Sequence, residues 1–190
     1  MRLILASQSP RRRQLLREAG YDFEVIAPSE HAESGEPEGD PTSVYVARLA
    51  VQKAADVAAR VSDPARIVAC DTVADCDGVV LGKPSDRAHA ESMLRMLSGR
   101  EHMVWSGLCI WNIPTQEFRV ESECSILTMA PLSESMIEAY LDSGAWQGKS
   151  GAFGYQDDHD WLKLTSGTAS NVVGLPMELF RAMLQEFDRA

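Results

Sequence analysis

The sequence predicts a mixed α/β fold: a twisted central sheet with helices on both sides, arranged as two lobes flanking a cleft. Short apolar, β-branched runs alternate with helical patterns of period 3.6, the rhythm of layered α/β structure. Hairpins interrupt that alternation at Asp77-Gly78 and between two long runs at about 102–111 and 117–128, so the sheet is not purely parallel. The chain has 190 residues, 45% of them hydrophobic. A chain of that size buries about 70% of its unfolded surface, enough for a core without disulfides.

Leu3-Ile4-Leu5-Ala6 reads as a buried first strand. Ser9 is a good N-cap for a helix that starts at Pro10, where the missing N–H is not needed, and closes at Gly20. Phe23–Ile26 reads as a second strand, followed by an acidic Pro/Gly loop over 28–40. Asp40 is then expected to cap a helix with Pro41 at its first position, running to about Arg60. Val46, Leu49, Ala50, Ala54 and Val57 form its apolar stripe, and Lys53 falls near the centre of it. Arg66–Cys70 reads as a strand ending at Asp71-Thr72. Residues 86–98 form a helix with Ala90, Met93, Leu94 and Leu97 inward, stopped by Gly99. Ser133 caps a helix over about 134–142. The small-residue segment Gly148–Gln156 reads as a loop where backbone can approach a ligand closely. Trp161–Leu164 is a short strand, Thr165-Ser166-Gly167 a turn, and Ser170–Pro176 leads into a last helix over about 177–187.

The formal net charge of −10 argues against a nucleic-acid polymer or an anionic membrane as partner. Cys70, Cys76, Cys109 and Cys124 show no CxxC spacing and read as reduced thiols of a cytoplasmic protein. The N-terminal apolar run is too short for a signal sequence, and nothing approaches the roughly 20 apolar residues of a membrane span.

Positive charge is concentrated at Arg11-Arg12-Arg13, in the first turn of the first helix. Cations there oppose the helix dipole, so the segment Ser7–Arg13 reads as a site that awaits a polyanion, built from free N–H groups, hydroxyls and guanidinium forks. Asp71 at a strand end, Glu33 in the acidic loop, and Lys53 and Lys83 supply carboxylates and further cations. That combination is the kit of metal-assisted phosphoryl chemistry, in which Mg²⁺ takes one or two carboxylates and the substrate phosphates. The run Asp157-Asp158-His159-Asp160 is a further acidic cluster beside a turn. No GxxxxGK[ST], GxSxG or HExxH occurs.

Ser7-Gln8-Ser9-Pro10-Arg11-Arg12 with Leu15-Leu16 resembles the opening signature of the Maf family of nucleoside triphosphate pyrophosphatases. Cys70-Asp71-Thr72-Val73, Leu81-Gly82-Lys83-Pro84, Leu97-Ser98-Gly99, Gly151–Gln156 and Ser170–Pro176 are similar to further landmarks of that family, in order, from residue 3 to about 185. The resemblance implies one Maf/ITPase-like domain over 1–190 that hydrolyses a nucleoside triphosphate to the monophosphate and diphosphate with Mg²⁺ or Mn²⁺, as a homodimer. It implies Asp71 as proton acceptor, Glu33 and Asp71 toward the metal, and Ser9, Arg12, Lys53 and Lys83 toward the phosphates. Arg11, Thr72 and Gln156 match the positions that sort the subfamilies, and resemble the dTTP/UTP branch. Ala32 stands where the family has Asp, Asp75-Cys76 replaces apolar residues, and Asp157 follows Gln156 where Gly is common. The rival reading is a nucleotide-binding regulator of cell division with slow or incidental hydrolysis. Asp71 and the lysines favour the enzyme, since a pure binder gains nothing from a water-activating carboxylate.

Overall fold

The computed structural model describes residues 1–33, 35, 37, 39–157 and 160–189. Ser34, Glu36 and Glu38 of the acidic loop, and Asp158 and His159 of the acidic cluster, lie outside the described residues. The elements are β1 (Arg2–Leu5), α1 (Pro10–Glu18), β2 (Glu24–Val25), α2 (Thr42–Ala58), β3 (Ala65–Cys76), β4 (Val79–Leu81) and α3 (Arg87–Leu97). They continue with β5 (Glu101–Asn112), β6 (Glu117–Met129), α4 (Glu134–Asp142), a 3₁₀ turn (Ser150–Ala152), β7 (Leu162–Ser166), α5 (Ala169–Val173) and α6 (Met177–Arg189).

The seven strands form one mixed sheet in the order β2-β1-β3-β5-β6-β7, with β4 also on β3. β1 runs parallel to β2 and β3, and every other pairing is antiparallel. β5 occupies one edge of β3 from Arg66 to Asp75. β1 covers Ala65–Val68 of the other edge and β4 covers Ala74–Cys76. Between them, residues 69–73 of β3 have no strand partner on that edge among the described residues. The sheet therefore carries a gap, and the gap positions the site.

Side chains alternate across the sheet as the strand pleat requires. Leu5, Val68, Cys70, Leu108 and Ile110 pack on Leu16 of α1 and on Phe180 and Met183 of α6. Ile4, Ile67, Ala69 and Cys109 pack on Ala50, Ala54 and Val57 of α2. A separate core, in the second lobe, joins Ala74, Cys76, Val104 and Leu127 to Leu94 and Leu97 of α3 and Ile137 and Leu141 of α4. The approach of α2 to β5 is close: a β-carbon on Gly107 would collide with the Val46 backbone. That closeness brings Lys53 within reach of β3.

Ser9 caps α1, accepting from the Arg12 N–H at 3.4 Å. Asp40 does not cap α2. Pro41 occupies the N-cap position without a side-chain bond, and Asp40 faces Arg48 at 3.8 Å instead. β3 does not end at Cys70 but continues six residues further, to Cys76. Asp75, the polar intruder on that strand, is buried and accepts from Thr42 Oγ1 and from the Gly78 N–H, tying the start of α2 to the β3–β4 turn. β7 continues through Ser166, and Thr168 caps the short helix α5 in a segment expected to be loop. All four cysteines are unpaired, and burial pushes the Cys109 thiol up to about 12. No helix among the described residues is long and apolar enough to cross a membrane.

His102, at the start of β5, is 2% exposed and stacks edge-on against Phe153 at 5.1 Å between ring centroids. Neither ring nitrogen has a hydrogen-bond partner among the described residues. Burial pulls its pKa from 6.5 down to about 4, and the nearby Arg100 backbone offsets this only in part. A native pKa below the unfolded value means that the unfolded chain binds more protons between the two. This contribution to stability is therefore complete above about pH 6.5 and is lost as pH falls toward 4, about 3 kcal/mol in all. His102→Leu is expected to flatten the decline of Tm between pH 7 and pH 4 relative to the native chain. An equal decline in both, followed by thermal melts, would place the acid sensitivity elsewhere.

Candidate active site

A cavity of about 570 Å³ opens over the uncovered stretch of β3. Its walls are residues 6–12, the loop around Glu33, Lys53, Asp71-Thr72, Lys83, the segment 147–157 and residues 172–174. The sites read from the sequence, Ser9, Arg11, Arg12, Glu33, Lys53, Asp71, Thr72, Lys83 and Gln156, all line it. Arg13 does not; it turns back to the Gln8 carbonyl at 3.3 Å.

The strand-to-helix turn is organised by Ser7, whose role sequence reasoning missed. Its Oγ accepts from the Ser9 N–H at 3.2 Å and from Arg12 Nη1 at 3.1 Å. Arg12 Nε donates to the Gly174 carbonyl at 2.7 Å and Nη2 to Thr72 Oγ1 at 3.2 Å. Gly174 has φ +124, a conformation that a side chain disfavours. Three of the five N–H groups of Arg12 are thus fixed by protein, which leaves two in a preset orientation. Thr72 Oγ1 also bonds Ser106 Oγ at 2.8 Å, so its hydroxyl serves the fork. Arg11 reaches across the cavity mouth, Nη2 donating to the Gly148 carbonyl at 3.1 Å. Burial, with Arg12 close by, lowers the Arg11 guanidinium below its ordinary value, though a guanidinium stays charged at neutral pH. Two neighbouring cations, one partly desolvated, make a site that favours an anion.

Facing them, Lys53 rises from α2 beneath the cavity floor. It is 4% exposed, and its Nζ contacts Asp71 Oδ1 and lies 3.1 Å from Glu33 Oε1. The lysine in the apolar stripe is therefore a buried ammonium held by two carboxylates, one on the sheet and one on the loop. Asp71 sits in mid-strand rather than at a strand end, but at the point where β1 has stopped. The neighbouring Thr72 carbonyl, left without a strand partner, accepts from Ser150 Oγ at 2.7 Å. Lys83 lines the cavity with an exposed side chain.

Two carboxylates from separate elements already converge on one cation, which is the donor chemistry a hard divalent ion requires. Among the described residues no group of three or more His, Cys, Asp or Glu could hold a metal without help. Glu33 and Asp71 therefore fit an ion that completes its shell with substrate phosphate and water, not a closed protein cage.

The loop 147–157 forms the remaining wall. Asp157, the first residue of the acidic cluster read from the sequence, contacts Lys149 Nζ and accepts from Tyr140 Oη at 2.9 Å. Burial and the Asp157 carboxylate together raise the Tyr140 hydroxyl above its ordinary value. Asn171, fully buried, donates to the Val104 carbonyl at 3.1 Å and to Ser125 Oγ at 2.9 Å, which seats residues 172–174 against the sheet.

The model of the Maf-like protein family matches residues 2–187. A dTTP/UTP pyrophosphatase of Rhodopirellula baltica is 50% identical over 188 residues, covering 98% of this chain and 82% of that protein. One from Symbiobacterium thermophilum is 42% identical over 188 residues, covering 97% and 93%. Among solved structures, a HAM1 protein from Coxiella burnetii covers 98% of this chain and 99% of its own, at 17% identity and a TM-score of 0.53. That likeness extends the shared fold beyond close relatives. An arginine-clamped turn facing a lysine-bridged carboxylate pair thus lies in a sequence matched over nearly its whole length, and the chain belongs to the Maf family.

Proposed function

We propose that this protein is a nucleoside triphosphate pyrophosphatase that prefers dTTP and UTP, releasing the monophosphate and diphosphate. The observation that carries this reading is the buried Asp71 carboxylate beside a cavity walled by Arg11, Arg12, Lys53 and Lys83. The names of relatives up to 50% identical support the substrate.

Ser9, Arg12, Lys53 and Lys83 hold the phosphates. Glu33 and Asp71 would hold Mg²⁺ or Mn²⁺, which when bound would supply charge neutralisation and a more acidic water. Asp71 takes the proton of the water that attacks the α-phosphorus. The α–β bridging P–O bond breaks, and diphosphate leaves with its electron pair. Arg12, Lys53 and Lys83 stabilise the charge that collects on the leaving group, in positions set before the substrate arrives. Gln156, exposed at the cavity mouth, pairs with the O4 and N3–H edge of the pyrimidine. Thr72 contributes through the Arg12 fork it holds, and Arg11 closes the mouth. A homodimer of chains of this kind, one domain each over 1–190, is part of the same reading.

With UTP, dTTP, CTP and GTP as substrates, diphosphate release is expected to be fastest for UTP and dTTP and to stop on addition of EDTA. Orthophosphate as product, or tight binding with no turnover, would overturn the assignment, the latter in favour of a nucleotide-binding regulator.

A further inference from the structure

Lys149 and Asp157 bracket the loop that carries Tyr155 and Gln156, and their side chains meet across it. Both line the cavity, with side chains 15% and 22% exposed, so the pair is largely shielded from water. Tyr140 of α4 donates to the same Asp157 oxygen at 2.9 Å, anchoring the pair to the second lobe. Gly154 lies directly beneath: a β-carbon there would collide with both Asp157 Oδ2 and Lys149 Nζ. The backbone inside the bracket is constrained as well. Gly151 and Ala152 have φ +69 and +62, and the left-handed region costs about 1 kcal/mol or more for a residue with a β-carbon. Ser150 is fixed to the Thr72 carbonyl and Phe153 is buried against His102. Residues 150–153 are therefore seated by the core and Tyr155 packs against its edge, whereas the exposed Gln156 depends on the closure between 149 and 157.

We propose that the Lys149–Asp157 ion pair, with Tyr140, is a clasp that positions Gln156 at the cavity mouth, making Asp157 and Lys149 positioning residues for recognition of the base. The clasp also sets the Gly148 carbonyl, which Arg11 bonds at 3.1 Å, so the two sides of the mouth are coupled through it. The phosphate-facing groups Ser9, Arg12 and Lys53 are held by other contacts and do not depend on it. The inference rests on the base-recognition role of Gln156 proposed above. It separates recognition of the base from recognition of the triphosphate, which makes it testable.

The experiment compares the native protein with Lys149→Met, Asp157→Ala, the isosteric Asp157→Asn, Tyr140→Phe and the Lys149→Met/Asp157→Ala double variant. KM and kcat are measured for UTP and CTP, and inhibition by inorganic tripolyphosphate, which has no base, reports the phosphate grip alone. Asp157→Ala is expected to raise KM for UTP about tenfold and to erase most of the preference over CTP, with little change in the tripolyphosphate constant. The two single changes and the double change should be about equal in effect, because each opens the same contact. Asp157→Asn and Tyr140→Phe, which keep the shape, should show smaller shifts in the same direction and report the clasp even if Asp157→Ala fails to fold. An unchanged UTP-to-CTP ratio, or equal losses for UTP and tripolyphosphate, would overturn the clasp while leaving the pyrophosphatase reading intact. A native protein without diphosphate release would instead overturn the reading beneath it.

Discussion

Asp71→Asn is expected to lower kcat for UTP by about 10² to 10⁴, the range over which a positioned general base contributes. The substitution keeps the shape of the side chain, and an amide can still meet Lys53, so the cavity wall should stand. An amide oxygen cannot take a proton from water at neutral pH, and it is a poorer ligand for a divalent ion. Both losses fall on the chemical step, whereas Arg12 and Ser9 keep their hold on the phosphates. KM for UTP should therefore change far less than kcat. Steady-state rates of diphosphate release, with a thermal melt to show that the variant folds, decide the matter. A kcat within about threefold of the native value would remove Asp71 from the role of base.

Lys53→Met should combine a large kinetic loss with a loss of stability. The Lys53 side chain is 5% exposed and that of Asp71 12%, so removing the ammonium leaves a carboxylate buried without its counter-charge. Breaking one side of such a pair costs about 3 kcal/mol, the lower end of the usual range because the cavity admits water. Glu33, with a side chain 46% exposed, is solvated and contributes little to that figure. For a chain of this length the Tm should fall by about 6–12 °C. Turnover should fall by about 10² or more, since a preset cation facing the leaving group is lost. The double variant Lys53→Met/Asp71→Asn should be more stable than additivity predicts, because neutralising Asp71 removes the uncompensated charge. Melts that add within about 0.5 kcal/mol would mean that the two side chains do not interact in the folded protein.

The elements with strong local signals were legible in the sequence. Ser9-Pro10 marked the start of α1, and the stripe of Ala90, Met93, Leu94 and Leu97 marked the buried face of α3. Most of the groups gathered in the cavity were legible too, because Ser9, Arg11, Arg12, Asp71, Thr72, Lys83 and Gln156 sit in compact motifs, whereas Lys53 stood out as a cation in an apolar stripe and Glu33 only as a loop acid. What escaped was set by distance along the chain. Asp71-Thr72 looked like the end of a strand because aspartate favours turns and is depleted in strands, yet β3 continues through them. The sheet tolerates them there because one side faces the cavity and Ser150, 78 residues away, satisfies the Thr72 carbonyl. Asp75 interrupted an apolar pattern for a reason supplied by Thr42, 33 residues earlier. Lys149 and Asp157 are only eight residues apart, but nothing local shows that the loop folds back to join them. The missed cap at Asp40 has a simpler cause: Pro41 took the N-cap position and left the aspartate to Arg48.

β3 and β5 pass unbroken from one lobe into the other, contributing Val68 and Ile110 to one core and Ala74 and Val104 to the next. Among the described residues the two lobes are joined by the continuous strands of one sheet. With β6 paired along β5, the mouth widens or narrows as this shared ribbon coils or relaxes, much as the jaws of a torsion spring are governed by its wire. Twisting such a ribbon strains its whole hydrogen-bonded length at once, so adjustment to different bases falls to the short segments at the rim.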